Sequence, residues 1–106
     1  MIRTQKLIVA ICRDHADGRS AALREEHLKA HMAYVEKILP HLAVAGPMRD
    51  AQRNIDGSML IYRTDSVAVA RQLLEDDPYA RAGVWASVEY KTFNAAAGEW
   101  VGGTAW

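Results

Sequence analysis

The spacing of apolar residues changes period several times along the chain. Lys6 to Asp14, KLIVAICRD, is a compact run rich in Ile and Val that ends in charge. A run this short and β-branched reads as a largely buried strand. HADGRS follows as a turn, broken at Asp17-Gly18. From Ser20 the spacing becomes three and four: Leu23, His27, Ala30, Tyr34 and Ile38, flanked by Leu28, Met32, Val35 and Leu39. That predicts a helix with Ser20 as N-cap, Glu25 and Glu26 near its positive end, and Pro40 as its stop.

His41 to Met48 is short and apolar and reads as a strand that breaks at Gly46-Pro47. Arg49 to Asp56 is polar, as in a loop. Gly57 to Thr64 alternates, with Met59, Ile61 and Arg63 on one face and Leu60 and Tyr62 on the other, so it is a third strand. Asp65-Ser66 caps a second helix carrying Val67, Ala70, Leu73 and Leu74. Asp76-Asp77-Pro78 ends that helix, and a turn or helical piece runs to about Trp85. Ser87 to Phe93 alternates again as the fourth strand.

Strand, helix, strand, strand, helix, strand is the ferredoxin-like α+β order, an antiparallel sheet with both helices on one face. The other face, apolar as well, is left without a cover. A second copy is its simplest cover, which predicts a homodimer packed sheet to sheet, with room for higher assembly. The domain spans residues 1–94. The tail, 95–106, is too rich in Gly for a stable helix, and its Trp100 and Trp106 are expected to dock on the chain's own surface or on a partner subunit, with a disordered tail as the alternative.

Composition narrows the function classes. The 106 residues carry 13 Lys and Arg against 13 Asp and Glu. No basic stripe with interleaved aromatics is present, so nucleic acid is not an expected partner. The one cysteine, Cys12, lies in an apolar run and reads as a buried, inert thiol in a protein of a reducing compartment. No leader pattern stands at the N-terminus and no run is long enough to span a bilayer, so a cytoplasmic protein without a membrane partner is expected.

Two places offer chemistry. His27 and His31, in HLKAH, sit four apart on one helix face. Zinc can use that spacing, but Leu28 stands where the metalloprotease motif needs Glu and no third ligand is placed, so no metal is expected. His27 lies on the mainly apolar stripe. It is either a hydrogen-bonded, half-buried residue or a group that takes and returns a proton near neutral pH. Asp77 stands before proline, which pushes it to extended geometry. It either ends a helix and caps the following turn, or is held in place for chemistry.

Several short motifs, taken in order, resemble a known family. REEHL (Arg24 to Leu28), AGPM (Ala45 to Met48), DGSMLIY (Asp56 to Tyr62), DDPYARAGVW (Asp76 to Trp85) and a closing VEYKTF are similar to the YciI-like, or YCII-related, family over about Lys6 to Phe93. The resemblance implies the dimeric α/β barrel version of the ferredoxin-like fold. It implies a His and an Asp facing one another in a cleft, which map to His27 and Asp77. Relatives include a chloromuconate dehydrochlorinase, and muconolactone isomerase shares the fold. The implied chemistry is proton transfer beside a carbonyl, as isomerisation or elimination on a small acidic or lactone-like molecule, with no cofactor. On this reading Asp77 orients the base His27, Arg24 binds an acidic group, Ser58 donates to a substrate oxygen, and Gly46, Pro47 and Tyr79 line the cleft. A non-catalytic ligand-binding or accessory module with the same cleft is the alternative. His31 has no role in the family pattern, and the tail is longer than the family's usual ending.

Overall fold

The computed structural model describes residues 5–106; the first four, on which part of the leader reading rests, lie outside it. Strand β1 is Gln5–Asp14, helix α1 Arg19–Lys37, β2 Leu42–Arg49, β3 Ile55–Tyr62, α2 Val67–Glu75, α3 Pro78–Ala82 and β4 Trp85–Ala95. A small hairpin, β5 Ala97–Gly98 and β6 Gly103–Thr104, closes the chain. The four main strands form one antiparallel sheet in the order β2-β3-β1-β4. This is the ferredoxin-like α+β fold, with α3 added before the last strand.

Alternation decides which side chains enter the core. On β1, Ile8, Ala10 and Cys12 are fully buried beneath the helices, as are Leu60 and Tyr62 of β3. The helices add Ile38, Ala70, Leu74 and Tyr79. Burial pushes the Cys12 thiol up to about 12, although the Arg24 guanidinium pulls the other way. The opposite sheet face carries Leu7, Val9, Met59, Ile61 and Phe93, of which Met59 and Phe93 stay exposed. Among the described residues no helix is long and apolar enough to cross a membrane.

Two local expectations need correction, and a third narrows. β2 does not break at Gly46-Pro47 but continues to Arg49. It is an edge strand, where a proline costs no ladder bond, and the loop shrinks to residues 50–54. Ser20 is not the N-cap of α1. Gly18 holds that place at φ 86°, a left-handed conformation that glycine adopts without strain. Ser20 is instead buried inside the helix, where its hydroxyl accepts from the His15 N–H and donates to the Val84 carbonyl. Of the two places expected to hold the tail tryptophans, the chain's own surface does not. Trp100 is 84% exposed and Trp106 82%. Ser66 does cap α2, accepting from the Val69 N–H.

Candidate active site

Asp77 caps the turn that follows it, and its carboxylate is also held against a histidine ring. Pre-proline geometry leaves Asp77 extended at φ −68° and ψ 130°, with Pro78 opening α3 behind it. Its carboxylate caps α3 by accepting the Tyr79 N–H at 2.9 Å. It does not face solvent, being 1% exposed. The remaining acceptor capacity goes to a histidine ring, at 2.8 and 2.9 Å from the two carboxylate oxygens.

That histidine is His31, not His27, and the expected His27–Asp77 pair is corrected accordingly. His27 is half-buried, and its ring lies 3.7 Å from the exposed carboxylate of its neighbour Glu26. The reason is one turn of helix. Residues 24, 28, 31, 32 and 35 of α1 form the stripe that faces the cleft. Leu23 and Tyr34 form a second stripe that packs against the core. His27 sits between the stripes and a turn too early, because α3 lies level with His31. Tyr34 and Tyr79 fix that level: the Tyr34 hydroxyl donates to the Leu73 carbonyl and the Tyr79 hydroxyl to the Arg24 carbonyl.

The His31 ring is held on two sides. Tyr79 stacks on it with centroids 3.7 Å apart and planes 3° from parallel. Trp85 meets Tyr79 edge-on at 6.0 Å. A carboxylate only accepts, so Nδ1 carries a hydrogen, while Nε2 has no hydrogen-bond partner among the described residues. The arrangement prepares one imidazole nitrogen to exchange a proton.

Arg24 sits seven residues before His31, two turns back on the same stripe. It is not the free cation expected for an acidic substrate group. Its Nε and Nη2 bind the two oxygens of Asp14 at 3.0 and 2.8 Å, and Nη2 also donates to Ser58 Oγ at 3.0 Å. Both partners of this ion pair are nearly buried. Nη1 keeps two N–H donors, and the Ser58 hydroxyl hydrogen has no acceptor among the described residues. Ser58 comes from β3, directly opposite Pro47 on β2.

These groups share a cleft of about 440 Å³ between α1 and the β2–β3 edge. Leu28, Met32, Val35, Leu60 and Trp85 make its walls mostly apolar, with Gly46 and Pro47 opposite the helix and Arg24, His31, Ser58 and Tyr79 also lining it. Of the residues singled out from the sequence, Arg24, Gly46, Pro47, Ser58 and Tyr79 line this cleft and Asp77 stands behind it; His27 does not. Asp14 and Trp85 were missed. Asp14 ends a strand and Trp85 was read as part of a turn, and only tertiary packing brings either to the cleft. Among the described residues no group of three His, Cys, Asp or Glu side chains is placed to hold a metal ion.

No curated protein matches the chain. Among solved structures it is similar to 5-chloro-2-hydroxyhydroquinone dehydrochlorinase (TftG) from Burkholderia phenoliruptrix AC1100, in complex with 2,5-dihydroxybenzoquinone. The identity is 26% and the TM-score 0.72, over 88% of this chain and 96% of that one. The model of the YCII-related domain matches residues 7–94, the sheet and all three helices included. The chain therefore belongs to the YCII-related domain family.

Proposed function

We propose that the protein is a small-molecule lyase or isomerase in which His31 moves the proton and Asp77 orients it. The observation that carries this reading is the buried Asp77 carboxylate on Nδ1 of a ring whose other nitrogen is unspent, in an apolar cleft. His31 Nε2 takes a proton from a carbon beside a carbonyl; with a chlorinated hydroquinone it first moves a hydroxyl proton to the chlorine-bearing ring carbon, giving a ketone with a tetrahedral C–Cl carbon, and loss of a second hydroxyl proton then drives chloride out. The electron pair left behind forms a new double bond. In elimination the leaving group departs with its own bonding pair as an anion; in isomerisation the proton returns at another carbon. A positioned base of this kind supplies about 10²–10⁴-fold. Arg24 Nη1 and the Ser58 hydroxyl stabilise the oxyanion that develops. Because Asp14 already balances Arg24, a carbonyl or enolate oxygen suits the site better than a further full carboxylate. Hydroxylated quinones and their chlorinated hydroquinone precursors fit that description, and the similarity to the dehydrochlorinase supports them as first candidates. The sheet face opposite the helices, where Met59 and Phe93 stay exposed, supports a homodimer as the working unit.

The test is turnover of chlorinated hydroxyhydroquinones, followed by chloride release and quinone absorbance. His31→Ala should lose about 10²–10⁴-fold in rate, whereas His27→Ala should stay close to the parent. The reverse order would overturn the assignment. Binding by calorimetry without turnover would identify a non-catalytic binding module instead.

A further inference from the structure

The C-terminal hairpin lies beyond the region that the family model covers, and its shape is not that of a segment folded onto its own domain. β5 and β6 pair with each other, and the Ala105 N–H donates to the Ala96 carbonyl at their base. Between them a short helical turn, Glu99–Val101, carries Trp100 outward. The hairpin extends β4, an edge strand of the sheet. The radius of gyration, 14.6 Å, exceeds the about 13 Å typical of a domain this long, as a projecting arm requires.

The arm and the uncovered sheet face enclose a trough of about 790 Å³. Leu7, Val44, Ile61 and Phe93 make its floor, and Trp100 and Val101 its lip. From this we infer that the hairpin is a clasp for a second copy of the chain: the partner's sheet face fills the trough and Trp100 closes along its flank. The inference rests on the sheet-to-sheet pairing proposed above and adds to it which segment holds the pair together.

Area decides for a second copy. A buried Trp contributes up to about 250 Å², so the two Trp100 side chains of a two-fold pair supply roughly 400 Å² at their present exposure. A stable interface buries about 1,200–2,000 Å². The tryptophans alone fall short, and the apolar sheet faces beside them make up the difference. Both surfaces are therefore needed together, and a two-fold axis presents both twice. The rim is polar, as an interface requires. Arg63 and Glu99 line the trough, make no ion pair with one another or elsewhere among the described residues, and can meet their opposites on the partner.

The experiment is the mass of the full chain by sedimentation from nanomolar to about 100 µM, for the parent, Trp100→Ala and Trp100→Phe. Because Trp100 is solvent-exposed in the single copy, neither substitution threatens the fold. The parent should dimerise, and Trp100→Ala should weaken the dimer about a thousandfold, since the symmetry counts each substitution twice. Trp100→Phe should keep most of the affinity. Acrylamide quenching of the parent's tryptophan emission should fall as the dimer forms. An equally tight dimer in Trp100→Ala overturns the clasp and leaves the sheet pairing standing. A parent that remains monomeric at about 100 µM overturns both.

Discussion

Replacing Asp77 by alanine removes two interactions whose sizes follow from their geometry. The carboxylate is 1% exposed, so neither is diluted by water. Loss of the α3 cap, the bond to the Tyr79 N–H, costs about 1 kcal/mol. Loss of the charged acceptor on His31 Nδ1 strands that donor and costs about 2 kcal/mol more. The total of about 3 kcal/mol should lower the thermal midpoint by roughly 15 °C. His31→Ala should cost about the same, because it loses the same pair and about 1 kcal/mol of stacking on Tyr79. In the double variant the pair can be lost only once, so its cost should fall about 2 kcal/mol below additivity. Asp77→Asn, which keeps an acceptor for Tyr79, should lie between the parent and Asp77→Ala. The assay is urea unfolding of the parent and the four variants by circular dichroism, at one fixed protein concentration because dimerisation shifts apparent stability. Costs that add to within about 0.3 kcal/mol would show that the two side chains do not interact in solution, and the site would lose its foundation.

Two further outcomes follow from the core. A Cβ at Gly57 would land inside contact distance of the Cys12 carbonyl oxygen and 3.0 Å from the Met48 Cε; Gly57→Ala should therefore destabilise by about 3 kcal/mol by forcing β1 and β3 apart, and an unchanged melting curve would refute the close approach. The Cys12 thiol, raised from 9.0 to about 12, binds its proton more tightly folded than unfolded, so its contribution is whole below about pH 9 and drains away as pH climbs toward 12. At most about 4 kcal/mol is at stake, unfolding titrations in that range should show the loss, and Cys12→Ala should remove the part that begins near pH 9 while leaving the part due to the tyrosine hydroxyls that burial also pushes up, Tyr62 foremost.

Periodicity was enough to read the core. Ile8, Ala10, Leu60 and Tyr62 alternate as strands must, and Ala70 with Leu74 marks the buried side of α2. What escaped depends on tertiary placement. Pro47 looks like a strand breaker unless β2 is known to be an edge. Ser20 has the chemistry of a cap, yet the turn before it gave that place to Gly18. The choice between His27 and His31 is a choice of one helical turn, and nothing on α1 reveals how far along it α3 docks. The family-like motif pointed to the first histidine, and packing brings the second to Asp77. Asp14 was equally hidden, since its partner Arg24 lies across a turn that no spacing rule connects to it.

The central position of β1 bears on how the chain is made. Its two neighbours, β3 and β4, come from the far half of the sequence. The first strand synthesised is thus also the one whose partners arrive last. At about 5–20 residues per second, β1 waits on the order of 4–16 s for β4 to emerge. Until β3 emerges, on the order of 2–10 s after β1 at that rate, LIVAIC, the most apolar stretch of the chain, has no edge to join. Folding of this sheet is largely an event of the completed chain, governed by slow non-local pairing. The nascent β1 segment is where a holding chaperone would be expected to bind.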